Sequence, residues 1–156
     1  MPLHSHYLPE PGAPASARRD LGKWLAALGW PAEPSEDLLL AVSEAVTNAA
    51  EHAYRGGDRS GLIELCVTDL AGPDGAHRAI ATVIDRGTWR IPPSAPGYRG
   101  RGLRLIRALT ESVEMTGGAA GTQVKMISRP VLLDTEFGVE SGSAARADVR
   151  RVGALS

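Results

Sequence analysis

Leu38-Leu-Leu-Ala-Val-Ser-Glu44-Ala-Val-Thr-Asn48-Ala-Ala-Glu-His52-Ala-Tyr54 spells a helix in the spacing of its apolar residues. These fall at 38, 42, 45, 46, 49 and 53, which gives a helix one continuous buried face. Glu44, Asn48 and His52 follow at intervals of four, so they line up one above another as a polar stripe. A carboxylate, an amide and an imidazole in that arrangement fit a solvated helix face as well as a site. What tips the balance lies further along the chain.

Working outward, Pro34-Ser35-Glu36-Asp37 reads as the start of this helix, with Ser35 as cap and acidic residues in the first turn. Gly56-Gly57 ends it. An earlier helix is expected over Ala15–Leu28, from apolar positions 17, 21, 24, 25 and 28, stopped by Gly29 and Pro31. Residues 1–14 carry Pro2, Pro9, Pro11 and Pro14 and read as an extended arm with a short edge strand near Ser5–Leu8.

Downstream, Gly61–Leu70 alternates, with Ile63, Leu65 and Val67 turned toward the helices. The dense turn residues of 71–75 lead into a return strand, His77–Asp85, making an antiparallel hairpin. The stretch from Arg86 to Arg101 is too long for a plain turn and reads as a functional loop. A third helix follows over about Gly102–Thr110, then two short strands around Val113/Met115 and Val124/Met126, with Gly117–Gly121 as their turn. From Val131 to Ser156 periodicity is lost and a disordered tail is expected. The expected architecture is α+β, a two-layer sandwich with a mixed, mostly antiparallel sheet packed on three helices. A domain over 15–130 is flanked by the arm (1–14) and the tail (131–156).

A length of 156 residues suits a single domain with a real core. The charge is nearly balanced, with a formal net charge of −1, so neither nucleic acid nor a membrane surface is indicated as partner. Lys23 and Lys125 are the only lysines among 17 basic residues; the others are Arg. The single Cys66 excludes an internal disulfide or a multi-cysteine metal site, and its apolar surroundings suggest a buried, inert thiol. No apolar run reaches membrane-spanning length and no secretion signal is evident, so a soluble, cytoplasmic protein is expected.

The strand Ile80-Ala-Thr-Val-Ile-Asp85 delivers a carboxylate at its C-terminal end, next to Arg86-Gly87. Such an Asp can be a simple turn-former. It can also select adenine, because a carboxylate accepts a hydrogen bond from adenine's exocyclic amine but would face guanine's carbonyl. Gly97-Tyr-Arg-Gly100-Arg101-Gly102-Leu103 then opens a helix, either as a hinge or as a phosphate cradle, since free N–H groups and the helix dipole attract anions. The segment lacks the preceding strand and third glycine of a dinucleotide fingerprint, and the chain has no P-loop.

In order, the chain thus offers a helix with Glu-x3-Asn, a strand ending in Asp-x-Gly, a lid-like loop, a Gly-x-Gly helix start and Gly121-Thr122 on the last strand. This arrangement resembles the GHKL (Bergerat-fold) ATP-binding superfamily over roughly residues 5–130. Within that superfamily, Ser43-Glu-Ala-Val-Thr-Asn-Ala-Ala-Glu-His-Ala-Tyr54 resembles the anti-sigma-factor serine/threonine kinases of bacteria. The resemblance implies ATP and Mg²⁺ as cofactors, with Asn48 as the magnesium ligand and Glu44 as the catalytic base. It implies Asp85 at adenine with Gly87 beside it, Gly100 and Gly102 flanking the phosphates within Gly100-Arg101-Gly102-Leu103, and Thr122 backing the adenine pocket. Arg101 or Arg104 would supply positive charge in place of a phosphate-binding Lys. Two features depart from the family pattern: Trp89 stands where a second Gly is usual, and the lid is short and rich in proline (Pro92, Pro93, Pro96).

The implied partners are a sigma factor, a STAS-domain antagonist and a second copy of the chain as a homodimer. The implied activity is phosphorylation of a Ser or Thr on the antagonist while the sigma factor is held inactive. The alternative is a docking module of the same fold that binds ATP without transferring phosphate. His52 is open between a structural and a site-lining role. His4, His6 and His77 are expected in loops and carry no functional pattern.

Overall fold

A computed structural model of the chain describes residues 1–56, 61–86, 98–118 and 121–133; side chains of 52–56, 98–101 and 118 lie outside the description. Five strands and three helices are laid down in the order β1 (Leu3–Tyr7), α1 (Ala13–Ala27), α2 (Ala32–Gly56), β2 (Ile63–Ala71), β3 (His77–Asp85), α3 (Tyr98–Leu109), β4 (Ser112–Gly118) and β5 (Gly121–Ile127). The strands form one sheet in the order β1-β2-β3-β5-β4, and each described pairing is antiparallel. The expected α+β sandwich is what forms: the helices cover one face, with α2 packed between α1 and α3.

Periodicity explains the layers. On α2 the buried residues are Leu38, Ala41, Val42, Ala45, Val46, Ala49 and Ala50, the face read from the sequence. On β2 they are Ile63, Leu65 and Val67, and on β3 Ala79, Ala81, Val83 and Asp85. Burial of each Leu, Ile or Val side chain here contributes about 1.5–3 kcal/mol. The prevalence of Ala on α2 lets it lie close to the sheet and to its neighbours.

Several boundaries differ from the sequence expectation. Helix α2 starts at Ala32, and Ser35 N–H already donates to the Pro31 carbonyl (3.0 Å), so Ser35 lies inside the first turn and is not the cap. Pro34 does not prevent this, because a first-turn residue has no intrahelical N–H bond to lose. Helix α3 begins at Tyr98, four residues earlier than expected. The arm contributes β1, hydrogen-bonded to β2 from Leu3↔Val67 to Tyr7↔Ile63. It is also tied to the helix layer: Tyr7 Oη donates to Asp20 of α1 at 2.7 Å. Val131, assigned to the tail, is buried and exchanges backbone hydrogen bonds with His77 at 2.7 and 2.9 Å. The rest of the tail, 134–156, lies outside the described residues.

The histidines expected in loops lie on strands, His4 and His6 on β1 and His77 at the start of β3. Cys66 is only partly buried, because the alternation of β2 turns it away from the helices, onto the outer face.

Candidate functional site

The period of two along β3 that buries Ala79, Ala81 and Val83 carries Asp85 onto the same interior face, at the strand's end. On β5 the same alternation buries Thr122, Val124 and Met126. The register places Asp85 directly opposite Thr122 and Val83 opposite Val124. A carboxylate and a hydroxyl, both nearly inaccessible (5% and 8% exposed), therefore sit side by side at the end of an otherwise apolar double row. Among the described residues, Thr122 Oγ1 has no hydrogen-bond partner. A buried hydroxyl left without one is costly, on the order of 1–3 kcal/mol, a cost that a ligand or a water in the cleft relieves.

Both residues open into a cleft of about 480 Å³, measured out to its mouth. Its walls are Ala45, Asn48 and Ala49 of α2, Val83 and Asp85 of β3, Leu103 and Ile106 of α3, Met115 of β4, and Thr122 and Val124 of β5. Seven of these ten are apolar, which suits a flat heterocycle held by a few directional polar groups. Adenine's edge matches the polar pair. Its exocyclic amine donates to a carboxylate, and the adjacent ring nitrogen accepts from a hydroxyl. Guanine reverses both positions.

Asn48 lies on the α2 wall, facing Gly102 of α3. A Cβ at Gly102 would stand 2.6 Å from Asn48 Nδ2, so any other residue there would push the Asn48 amide from its present position. Glu44 stands one helical turn before Asn48, half-buried. The first turn of α3 contains Gly100 and Arg101, and helical geometry leaves its backbone N–H groups without intrahelical acceptors, available to an anion. At its other end, α3 is closed by Thr110 Oγ1 donating to the Ile106 carbonyl (2.7 Å) and Arg129 Nη2 donating to the Ala108 carbonyl (2.6 Å).

Of the residues singled out from sequence, Asn48, Asp85, Leu103 and Thr122 are thus brought to one cleft, and Gly102 abuts Asn48. Glu44 is on the adjoining turn of α2, not in the cleft wall. Gly87, Trp89 and the lid lie outside the described residues, as do the side chains of His52 and Arg101. The sequence reading passed over the apolar wall, since Val83, Val124 and Ile106 look like ordinary core. Only the strand face that Val83 and Val124 share with Asp85 and Thr122 signals the cleft, and Ile106 of α3 carries no such signal. Gly121, legible in the sequence as the end of the β4–β5 turn and the neighbour of Thr122, also has a close approach that the sequence does not reveal. Its φ is +123°, and a Cβ there would collide with the Asp85 carbonyl and come within 2.8 Å of Arg86 Cα.

The family model for the histidine kinase-like ATPase domain matches residues 8–128. The chain belongs to that family. Among solved structures, the RsbU and RsbW domains of Rv1364c from Mycobacterium tuberculosis are 31% identical, with a TM-score of 0.65 over 83% of this chain. The match covers 32% of that structure's chain, so the present chain spans about a third of its length. The histidine kinase domain of the blue-light activated histidine kinase from Erythrobacter litoralis EL346 is 24% identical over 72% of this chain and 60% of its own, with a TM-score of 0.46. The family fold is an ATP-binding one, kinase-like in its relatives. No helix among the described residues is long and apolar enough to cross a membrane.

The residues present fit ATP with Mg²⁺. Thr122 offers an unsatisfied hydroxyl beside a carboxylate, and Asn48 offers one neutral amide oxygen at the cleft's rim. Mg²⁺ retains waters and takes few protein ligands when phosphates are bound, so one amide oxygen is an adequate protein share.

Proposed function

We propose that this domain is an ATP-dependent protein serine/threonine kinase of the anti-sigma type, which sequesters a sigma factor and phosphorylates a STAS-domain antagonist. The observation that carries the reading is the pairing of Asp85 with the unsatisfied Thr122 hydroxyl at the closed end of an apolar cleft whose α2 wall bears Asn48, one turn after Glu44. Asp85 accepts from the adenine amine and Thr122 donates to the ring. Asn48 would hold Mg²⁺, which when bound neutralises phosphate charge. The N-terminal turn of α3, which includes Gly100 and Arg101, offers its free N–H groups to the phosphates, with Gly102 and Leu103 following directly. Glu44 takes the proton from the attacking hydroxyl. The RsbW domain in the Mycobacterium tuberculosis relative and the Ser-Glu-Ala-Val-Thr-Asn run support this assignment. A homodimer would accord with it.

The test is incubation with labelled ATP, Mg²⁺ and STAS-domain proteins of the same genome. Asn48→Ala should weaken ATP binding in Mg²⁺. Glu44→Gln should leave binding intact and slow phosphoryl transfer roughly 10²–10⁴-fold. Transfer at the parental rate in Glu44→Gln would put the base elsewhere. ATP binding with no transfer to any antagonist would favour a docking module, the reading to which Trp89, in place of the family's second Gly, points.

A further inference from the structure

The outer face of the sheet, away from the helices and the cleft, carries a second set of chemistry. His4 and His6 alternate along β1, so both project to the same side, and their rings approach to 4.8 Å between centroids. The β1–β2 register sets His4 opposite Cys66 and His6 opposite Glu64. Ligand atoms of His4, His6 and Glu64 all lie within 4.8 Å of one another. His4 Nε2 is 2.6 Å from Glu64 Oε1, and Cys66 Sγ borders the group at 3.5 Å from the same oxygen.

We propose that His4, His6 and Glu64 form a binding site for a borderline divalent transition-metal ion, Zn²⁺ foremost, which fastens the edge strand β1 to β2. Two imidazoles and one carboxylate are a usual protein set for zinc, with the remaining position left to water. Mg²⁺ and Ca²⁺, which prefer all-oxygen surroundings, are disfavoured by two ring nitrogens. A tetrahedral zinc site needs ligand atoms roughly 3.3 Å apart, so contraction from the present spacing takes only side-chain rotation. The His4–Glu64 contact already brings two of the three together; the ion replaces the bridging proton. Arg86 Nη2 lies 3.2 Å from Glu64 Oε2 and opposes a cation, but its side chain is 70% exposed and can turn to solvent. The site is distinct from the nucleotide cleft, since it stands on the opposite face of the sheet and shares no residue with it.

The test is calorimetric titration of the chelator-treated full chain with Zn²⁺ alone, without nucleotide, with Mg²⁺ as the comparison ion. One Zn²⁺ per chain is expected, with the affinity lowered at least about tenfold in His4→Ala, His6→Ala or Glu64→Gln. His77→Ala, which removes the histidine paired with Asp69 at 2.9 Å elsewhere on the sheet, should bind as the parent does. Zn²⁺ should also raise the unfolding midpoint of the parent and not of the His4→Ala/His6→Ala double variant. Amide NMR shifts on Zn²⁺ addition, confined to residues 4–6 and 63–67, would locate the ion and confirm that the variants remain folded. Zn²⁺ binding of undiminished affinity in the folded double variant, or no binding by the parent, overturns the proposal.

Discussion

At the scale of single residues, the proposed site rests on Asp85 and Thr122. Burying a carboxylate and a hydroxyl is unfavourable in a plain core, and the Thr122 hydroxyl lacks a partner among the described residues. The arrangement makes sense if a ligand with a donor and an acceptor side by side fills the cleft. Asp85→Ala should then cost roughly 2–4 kcal/mol of ATP affinity, the loss of a buried charge-assisted bond. Asp85→Asn keeps the shape but presents an amide that can turn a donor toward guanine, so the preference for ATP over GTP should narrow. Calorimetry with both nucleotides checks this; unchanged ATP binding in Asp85→Ala would mean that the base is held elsewhere.

At the scale of elements, the decisive contact is that of α3 with α2. Helix propensity alone says that replacing an interior helical glycine by alanine stabilises by about 0.5–1 kcal/mol. Gly22 on α1 is such a position, since a Cβ there meets only Leu39 Cδ2 at 3.9 Å, and Gly22→Ala should raise the unfolding midpoint. Gly102→Ala should do the reverse. Its Cβ would press on the Asn48 amide, forcing either that side chain or the helix to move, and overpacking of this kind costs about 1–3 kcal/mol. Because Asn48 is the residue displaced, ATP affinity should fall more in the presence of Mg²⁺ than in its absence. Denaturant unfolding and titrations with and without the ion separate the two effects. A Gly102→Ala protein as stable as the parent, with parental ATP binding, would show that the helices do not need this close approach.

At the scale of the whole molecule, the two layers are joined at their rim by Tyr7, which belongs to the sheet yet bonds to Asp20 of α1. Burial first, and then the Asp20 acceptor, push the Tyr7 phenol up to about 12. In the unfolded chain it ionises near its ordinary value of about 10. Between these values the folded state holds a proton that the unfolded state has lost, so stability is fully present below about pH 10 and declines as pH rises toward 12. Tyr7→Phe should lower stability at pH 8 and flatten the decline above pH 10. Urea midpoints measured across that range would check it, and an equally steep alkaline decline in the variant would exclude Tyr7 as its source.

The order of the elements, the buried face of each, and the presence of a carboxylate at the end of one strand were all legible in the sequence, because apolar spacing of 3.6 or 2 residues is a local property of the chain. So was the Glu44–Asn48 line on α2. Some boundaries mislead for equally local reasons: Pro34-Ser35 looks like the point where the helix starts but already lies within its first turn, and the residues before Gly102 look like loop although helix α3 already runs through them. What only the tertiary structure decided is which faces meet. Thr122 opposite Asp85, Gly102 against Asn48, Val131 paired with His77, and His4 and His6 beside Glu64 each join segments far apart in the chain. Periodicity states that a strand face is buried or exposed, but the register between strands, on which a site depends, is settled only when the whole sheet closes against its helices.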